Sequence, residues 1–552
     1  MEASSEAPKA SQRSSPEADV PESLEPGPPP AQPLKFSSAQ PETSQRYRQS
    51  GDVCFTGEKC FFGSECPWQH NLEKYLATKP PDIGDCCILF SLFGKCRFGI
   101  ACRFSGAHSG QDCQNPVSKE LCVVKPDVKN QHMDKATAAL MAFPFCKSMD
   151  YLKSFPKVET AMRIPELDFT SDSLPEIPPV MPRKTVGVLT DEDLIRLRPC
   201  EKKKLDVLEK LYLSPLGKWG SVPFRRICKR FGADITCSSL PQNVYRWNLE
   251  NFGEFFHRHE SEDLFGIQLG GSAPYHMIKC AEFFNERIEV DFLEIDAGDY
   301  TFFHTGGGCA LMLKPTKFEK IVRGMDYVSN VPITVKLRSG ISAQKNLAHT
   351  LIPKLHHWGA AMVTLHGRPK VIPMSEPADW NYISHCAQIA RPMPLFGNGD
   401  IFSFEDAIKA KETGVSGVTI ARAALVKPWI FTEIKEMRHW DISARERLDM
   451  LKDFTAYGLE YWGTDTNGVE KTRAALLQWL YYLCSYIPVG LQEHFPSQSG
   501  DEHPLFLSGD YLEVLLSSQK VTDMVKISEM FLGPVSPGFT FPLEHDENGY
   551  VL

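Results

Sequence analysis

The sequence predicts an α/β protein: a (β/α)8, or TIM, barrel followed by a C-terminal helical domain, preceded by two small cysteine-histidine modules and a disordered N-terminal tail. Three observations carry this reading. Between Leu211 and Leu425 short apolar runs close on small or polar groups, as in Tyr212-Leu213-Ser214-Pro215, Gly266-Ile267-Gln268, Val335-Lys336-Leu337-Arg338 and Leu365-His366-Gly367-Arg368. A barrel places its functional groups at the carboxyl ends of its strands, so strands that end this way describe an active face. Helically spaced stretches at 342–358 and 404–413 alternate with the runs, as βα repeats do. After residue 430 the strand pattern fades, and apolar residues take helical spacing at Leu448, Leu451, Phe454, Tyr457 and Tyr461.

In chain order, residues 1–50 are rich in Pro, Ser, Glu and Gln and hold few large apolar groups to offset the entropy of ordering, so they read as a disordered tail. Residues 51–110 concentrate cysteine, glycine and aromatics in a small metal-built module. Residues 111–204 alternate polar and Pro-rich stretches and end on Arg196, Arg198, Lys202, Lys203 and Lys204, a linker with a basic end. The barrel is expected over 205–430, the helical domain over 431–535 and a short tail over 536–552.

The chain has 552 residues, enough for about two to four domains of 100–200 residues each. Its formal net charge is −9, so any nucleic-acid contact must come from local patches rather than from the whole surface. Seventeen cysteines without an apolar leader at Met1–Ala10 favour a reducing compartment, cytoplasmic or nuclear. No run approaches the roughly 18 apolar residues of a membrane span, and a soluble protein is expected. Nothing in the pattern sets an oligomeric state, and a monomer suffices.

Within 51–110 the second cluster reads Cys87, eight residues, Cys96, five, Cys102, five, His108. Three thiolates and an imidazole complete a closed tetrahedral Zn²⁺ site, and so short a segment scarcely folds without metal. The first cluster is Cys54, five residues, Cys60, five, Cys66, three, His70. Reduced core cysteines are the alternative for both, and Cys86 could replace Cys87. Phe61, Phe62, Trp68, Phe98 and Phe104 are available to stack on unpaired bases, or else simply pack the small modules.

Along the barrel, Gly397 and Gly399 in Gly397-Asn398-Gly399-Asp400 let backbone amides approach a phosphate, and Arg422 in Ala421-Arg422-Ala423 adds a cation at the next strand end. The glycine pair alone could be only a turn. Lys336 and His366 would face the barrel mouth; the alternatives are a structural ion-pair partner and a core histidine.

The order of these motifs resembles the tRNA-dihydrouridine synthase family, and within it the eukaryotic branch that carries two CCCH fingers before the barrel. The resemblance runs from about residue 51 to 535. It is carried by Cys87 to His108, Arg196-Leu197-Arg198-Pro199-Cys200-Glu201-Lys202, Pro223-Phe224-Arg225-Arg226, Gly306-Gly307-Gly308-Cys309-Ala310-Leu311-Met312, Leu365-His366-Gly367-Arg368, Gly397-Asn398-Gly399-Asp400 and Lys427-Pro428-Trp429. It implies a barrel that holds FMN, is reduced by NADPH, and passes hydride to C6 of a tRNA uracil, in the variable loop, while an acid protonates C5. By position it implies that Pro215, Leu216 and Gly217 line the flavin ring and that Gln268, Lys336 and His366 contact FMN. Asn398, Gly399, Asp400, Ala421 and Arg422 would receive its phosphate end, and the helical domain would grip tRNA.

The chain departs from that family at the strand ends. The family pattern Asn-x-Gly-Cys-Pro, whose cysteine is the acid, is here Asp296-Ala297-Gly298-Asp299-Tyr300, and the loop that follows is shorter. Asp299 stands at the cysteine position, and it would donate a proton only if burial raised its pKa. Trp219 replaces a small hydroxyl residue near the flavin, Pro369-Lys370-Val371-Ile372-Pro373 replaces an Arg and Gln pair, and cations around Lys471 and Arg473 are sparse. Three functions are therefore open: a uridine reductase using Asp299 or water, a weak or inert paralogue that binds tRNA or another RNA, and a different enzyme of flavin or a phosphate ligand on the same barrel.

Overall fold

The computed structural model describes residues 66, 69–109, 115–118, 128–130, 143–161, 202–239, 252–301, 303–373, 376–488, 510–536 and 539–541. The tail expected over 1–50 and most of the one expected over 536–552, together with Cys54, Cys60, Phe61, Phe62 and Trp68, lie outside the described residues. The chain divides into two compact units, Met1–Thr78 and Lys79–Leu552. In the first, the described part is a short helix, α1 (Leu72–Thr78), with Cys66 and His70 ahead of it.

The second unit is built on a closed barrel of eight parallel strands: β1 (Leu211–Leu213), β2 (Ile235–Ser239), β3 (Leu264–Leu269), β4 (Phe292–Ala297), β5 (Ile333–Arg338), β6 (Ala360–His366), β7 (Leu395–Asn398) and β8 (Gly417–Ile420). Each strand pairs with the next in sequence, and β8 closes on β1 through Val418 with Leu211 and Ile420 with Leu213. Side chains alternate in and out, so Phe292, Glu294 and Asp296 of β4 point inward together. The inner floor is a small cluster of Tyr212, Ile235, Cys237, Phe292, Met362 and Phe396. Two glycines make room for it: a Cβ on Gly266 would lie 2.2 Å from the Phe292 ring, and one on Gly417 would lie 2.4 Å from Phe396.

The cysteine-rich segment contributes α2 (Ile88–Phe93), and around the barrel lie α3 (Cys146–Ala161), α4 (Val222–Arg230), α5 (Pro274–Arg287), α6 (Pro315–Val328), α7 (Ala348–Trp358), α8 (Trp380–Ala390), α9 (Phe404–Glu412) and α10 (Arg422–Val426). The helical pattern expected over 342–358 starts later, at Ala348, because Gly340–Ser342 and Lys345–Asn346 first form a small antiparallel hairpin. The helix expected over 404–413 is α9, fixed at its start by a reciprocal capping box between Ser403 and Asp406.

The stretch read as a linker contributes to the barrel wall. The strand Val128–Lys129 pairs with Arg258–His259, and Glu282 of α5 accepts from Lys147 N and Ser148 N, each at 2.9 Å, at the start of α3. Its basic end is also engaged: Lys202 pairs with Asp326 at 2.7 Å, and Lys203 with the buried Asp291.

After α11 (Ile430–Glu436) come two long antiparallel-packed helices, α12 (Ala444–Trp462) and α13 (Thr466–Leu483), and then α14 (Tyr511–Leu516) and α15 (Val521–Leu532). Ser443 and Glu446 form a capping box at α12, and Asp465 caps α13. These helices share one hydrophobic core with the outside of β1 and β8 and with Cys87, Leu89 and Phe104 of the cysteine-rich segment. No helix among the described residues is long and apolar enough to cross a membrane.

Candidate active site and metal centre

The strand ends surround a cavity of about 500 Å³ at the carboxyl face of the barrel. Pro215, Leu216 and Gly217 after β1 form one wall. Gln268 of β3, Lys336 of β5 and His366 of β6 supply polar groups from three successive sectors. Asn398, Gly399 and Asp400 after β7, with Ala421 and Arg422 after β8, close the far side, and Asp299 sits on the rim opposite. These positions therefore converge on one space, whereas Gly397 does not line it and faces Trp380 instead.

Hydrogen bonds fix most of these side chains. Lys336 Nζ reaches across the mouth and donates to Ser214 Oγ at 2.7 Å, so it is not a plain ion-pair partner. Gln268 Nε2 donates to Glu294 Oε1 at 3.0 Å, while Ser239 Oγ donates to Gln268 Oε1 at 3.0 Å. Tyr212 OH adds a bond to Glu294 Oε1 at 3.3 Å from below. Glu294 has no exposed surface, and burial pushes its carboxyl up to about 7, with the charge of Asp296 adding to the effect and Lys336 opposing it.

His366 is buried, and its Nδ1 has no hydrogen-bond partner in the protein. Burial first, then the surrounding cations Arg338, Arg368, Lys336 and Arg422, hold the imidazole well below its ordinary pKa, so it is neutral at physiological pH. A neutral ring in a cationic field can bond an uncharged ligand without adding charge.

The corner after β7 and β8 is built around the Asp400 carboxylate. The Asp400 carboxylate is held by two arginines: Arg368 NH2 contacts both of its oxygens at 2.6 Å, and Arg422 NH2 approaches Oδ1 at 3.2 Å. That carboxylate also accepts from Ala378 N at 2.8 Å, which ties the β7 loop to the segment before α8. Gly399 has φ +133°, and a Cβ there would lie 2.6 Å from Ala378 Cβ, so the chain can turn only as glycine.

The loop after β4 holds the main difference from the expectation. Asp299 is half-buried on the rim of the cavity, where Thr301 N and Thr301 Oγ1 donate to its carboxylate at 2.8 and 2.6 Å. Asp296 is buried, and its pKa is raised by desolvation and then by the negative charge of Asp299. Asp296 Oδ1 accepts from Gly298 N at 2.9 Å and Asp299 N at 3.0 Å, and Arg338 Nε donates to Gly298 O at 2.9 Å, so the loop is held from both sides. Cys309 is fully buried behind this loop, its thiol pushed up to about 11 by burial, and it does not line the cavity.

Several groups at the site escape a reading of motifs. Glu294 leaves a visible signal, a charged residue at an inward position of an otherwise apolar strand. Asp296 and Arg338 belong to quoted motifs without being singled out. Tyr482 of α13 lines the cavity and packs edge-to-face against Trp219, with ring centroids 5.1 Å apart, and nothing in the sequence announces that a helix far along the chain reaches the barrel mouth. Trp219 thus leans on the helical domain as well as on the cavity. Arg225, in the Pro223-Phe224-Arg225-Arg226 motif, is a support rather than a site residue. Its guanidinium binds Glu262 at 2.7 Å, Gly220 O at 2.7 Å and His257 O at 2.7 Å, which anchors the loop carrying Pro215 to Trp219.

A second centre lies on the same unit. Cys87, Cys96, Cys102 and His108 are all buried, with ligand atoms within 4.8 Å of one another, an arrangement that can hold a metal ion. Cys86 is exposed and contacts Ser91 Oγ at 3.3 Å, so Cys87 is the ligand of that pair. Of the first cluster only Cys66 and His70 are among the described residues. Phe104 is buried, and Phe98 packs on Gly463, so these two aromatics are used in packing. In α13, Arg473 is buried and donates to Ser528 and to the carbonyls of Leu532 and Gly533, and Lys471 pairs with Glu254 at 3.2 Å.

Comparison with known proteins agrees with this geometry. The profile of the family described as dihydrouridine synthase (Dus) matches residues 212–480. A human protein named tRNA-dihydrouridine(47) synthase NAD(P)(+)-like is 49% identical over 520 residues, covering 89% of this chain and 79% of the relative. The protein of that name from Xenopus tropicalis is 48% identical over 505 residues, with 89% and 78% covered. The one from Arabidopsis thaliana is 34% identical over 579 residues, with 89% and 83% covered.

Proposed function

We propose, from the premise that this chain belongs to the dihydrouridine synthase family, that its barrel reduces the C5=C6 bond of a tRNA uridine to dihydrouridine. FMN occupies the strand-end cavity, NADPH is the source of hydride, and the uridine lies in the variable loop. The observation that carries this reading is the convergence of Gln268, Lys336, His366, Asn398, Gly399 and Arg422 on one cavity.

These residues fit FMN. Gln268 and Lys336 would hold the ring from the cavity wall, the unpartnered Nδ1 of the neutral His366 would be available to it, and the glycine at 399 would allow close backbone approach to the phosphate. When bound, FMN supplies the hydride that adds to uracil C6. Addition at C6 leaves negative charge on the C4 oxygen and demands a proton at C5. Lys336 and Arg338 place positive charge at the mouth where that charge develops. The proton is assigned to the loop after β4, through Asp299 or a water it orients. The Cys87 to His108 centre fits zinc: at a Zn–S length of about 2.3 Å, tetrahedral thiolates lie about 3.8 Å apart. Sγ of Cys87 and of Cys102 are 3.7 Å apart.

A second reading, an inert paralogue that retains RNA binding, is favoured by one specific observation. Among the described residues no thiol lines the cavity, and the Asp299 carboxylate is engaged by Thr301. Incubation of the purified protein with unmodified tRNA, FMN and NADPH, followed by quantification of dihydrouridine, separates the two. Product in the variable loop supports the reductase. No product from protein that binds FMN and tRNA selects the paralogue.

A further inference from the structure

The metal centre meets the helical domain at the turn Gly463-Thr464-Asp465, between α12 and α13, beside the hydrophobic core that the two share. Thr464 is completely buried. Its Oγ1 lies 3.2 Å from Cys102 Sγ and 3.6 Å from Cys96 Sγ, and its carbonyl accepts from Arg103 N at 2.7 Å. Arg103 in turn donates through Nε and NH2 to Pro81 O, each at 3.2 Å. Beside it, Gly463 has φ +118°, and a Cβ there would lie 2.4 Å from the Phe98 ring. The sequence neighbours of the ligands and the turn of the helical domain thus interlock by backbone, by side chain and by close packing.

We propose that Thr464 is an outer-shell donor to the metal centre, and that the metal fastens the α12–α13 turn rather than organising a free module. The inference rests on the reading of Cys87, Cys96, Cys102 and His108 as a zinc centre. Thr464 Oγ1, 3.2 Å from Cys102 Sγ, is within hydrogen-bond reach of the sulfur. Metal binding removes the thiol protons, and the hydroxyl then becomes the donor to a thiolate. Such a bond takes negative charge off the sulfur and fixes its direction, and outer-shell partners of this kind commonly matter about 10–100-fold in metal affinity. The consequence reaches the cavity, because α13 is the helix that brings Tyr482 to its wall. Phe98 and Phe104 are committed to this interlock, which suits a brace better than a base-reading surface.

The test uses the full chain loaded with zinc in a Cys66→Ser background, which removes the other expected cluster. Metal content is measured first: one zinc per chain supports the centre, and none overturns the reading beneath the proposal. Transfer of zinc to a chromogenic chelator is then followed for three proteins. Thr464→Val, which keeps the shape and the backbone contact, should release zinc about 10–100-fold more readily, and Thr464→Ser should stay near the parent. Hydrogen exchange across 463–483 should rise when the parent is stripped of zinc. Parent-like release by Thr464→Val, or unchanged exchange after stripping, overturns the proposal.

Discussion

Glu294 makes stability depend on pH in a way that can be calculated from its surroundings. The ordinary carboxyl value is 4.5, and in the folded barrel it is about 7, because burial disfavours the charge more than Lys336 restores it. The folded state therefore holds a proton that the unfolded chain has already lost. For a raised pKa the contribution is fully present below the unfolded value and is lost as pH rises through the folded value. At about 1.4 kcal/mol per pKa unit, a shift of that size is worth about 3 kcal/mol, lost mainly between pH 4.5 and 7. Glu294→Gln keeps an acceptor for Gln268 and Tyr212 and removes the titration. Urea unfolding of parent and variant from pH 5 to 8 reads the difference: the parent should lose about 3 kcal/mol relative to the variant as pH rises. Parallel stability curves would show that Glu294 does not titrate in this range and would refute the account of its environment.

Other expectations concern the loop, the frame and the cofactor corner. Asp299→Cys should raise dihydrouridine formation by about 10²-fold or more, the typical worth of a positioned acid, while FMN content stays constant. An unchanged rate would locate the defect elsewhere. Arg225→Met leaves Glu262 buried without its cation, which typically costs about 3–5 kcal/mol, so thermal denaturation should show a clear fall in Tm; replacing Glu262 by Leu as well should recover part of it. Gly399→Ala forces a Cβ against Ala378 in a left-handed backbone and should weaken FMN binding at least about tenfold by fluorescence titration. Wild-type affinity would show that close backbone approach is not required there.

Much of the barrel is legible because its chemistry is local. Strand ends such as Leu395-Phe396-Gly397-Asn398 carry their own periodicity and their own turn residues, so the residues that meet at the mouth could be chosen before any contact was known. The same holds for Cys87, Cys96, Cys102 and His108, whose spacing encodes a tetrahedral site. The loop after β4 reads differently. Asp299 and Asp296 are alike in type and close in sequence, and only the direction of each side chain decides which carboxyl is buried and which is tied to Thr301. The linker reading of 111–204 is local too: polar composition does not reveal that Glu282 caps a helix at Cys146 or that Lys202 finds Asp326.

By itself the sequence determined the repeat, the order of the strand-end groups and the cysteine-histidine spacing of the cluster, with Cys86 or Cys87 left open, because periodicity and spacing are properties of neighbouring residues. Only the tertiary structure decided that Asp400 is the counter-ion of two arginines, that Tyr482 closes the cavity against Trp219, and that Thr464 sits on the thiols of the metal centre. Each of those contacts joins residues from separate elements, Thr464 and Tyr482 reaching partners hundreds of residues away. Burial and direction, which set charge and hydrogen bonding, arise only when the chain closes on itself.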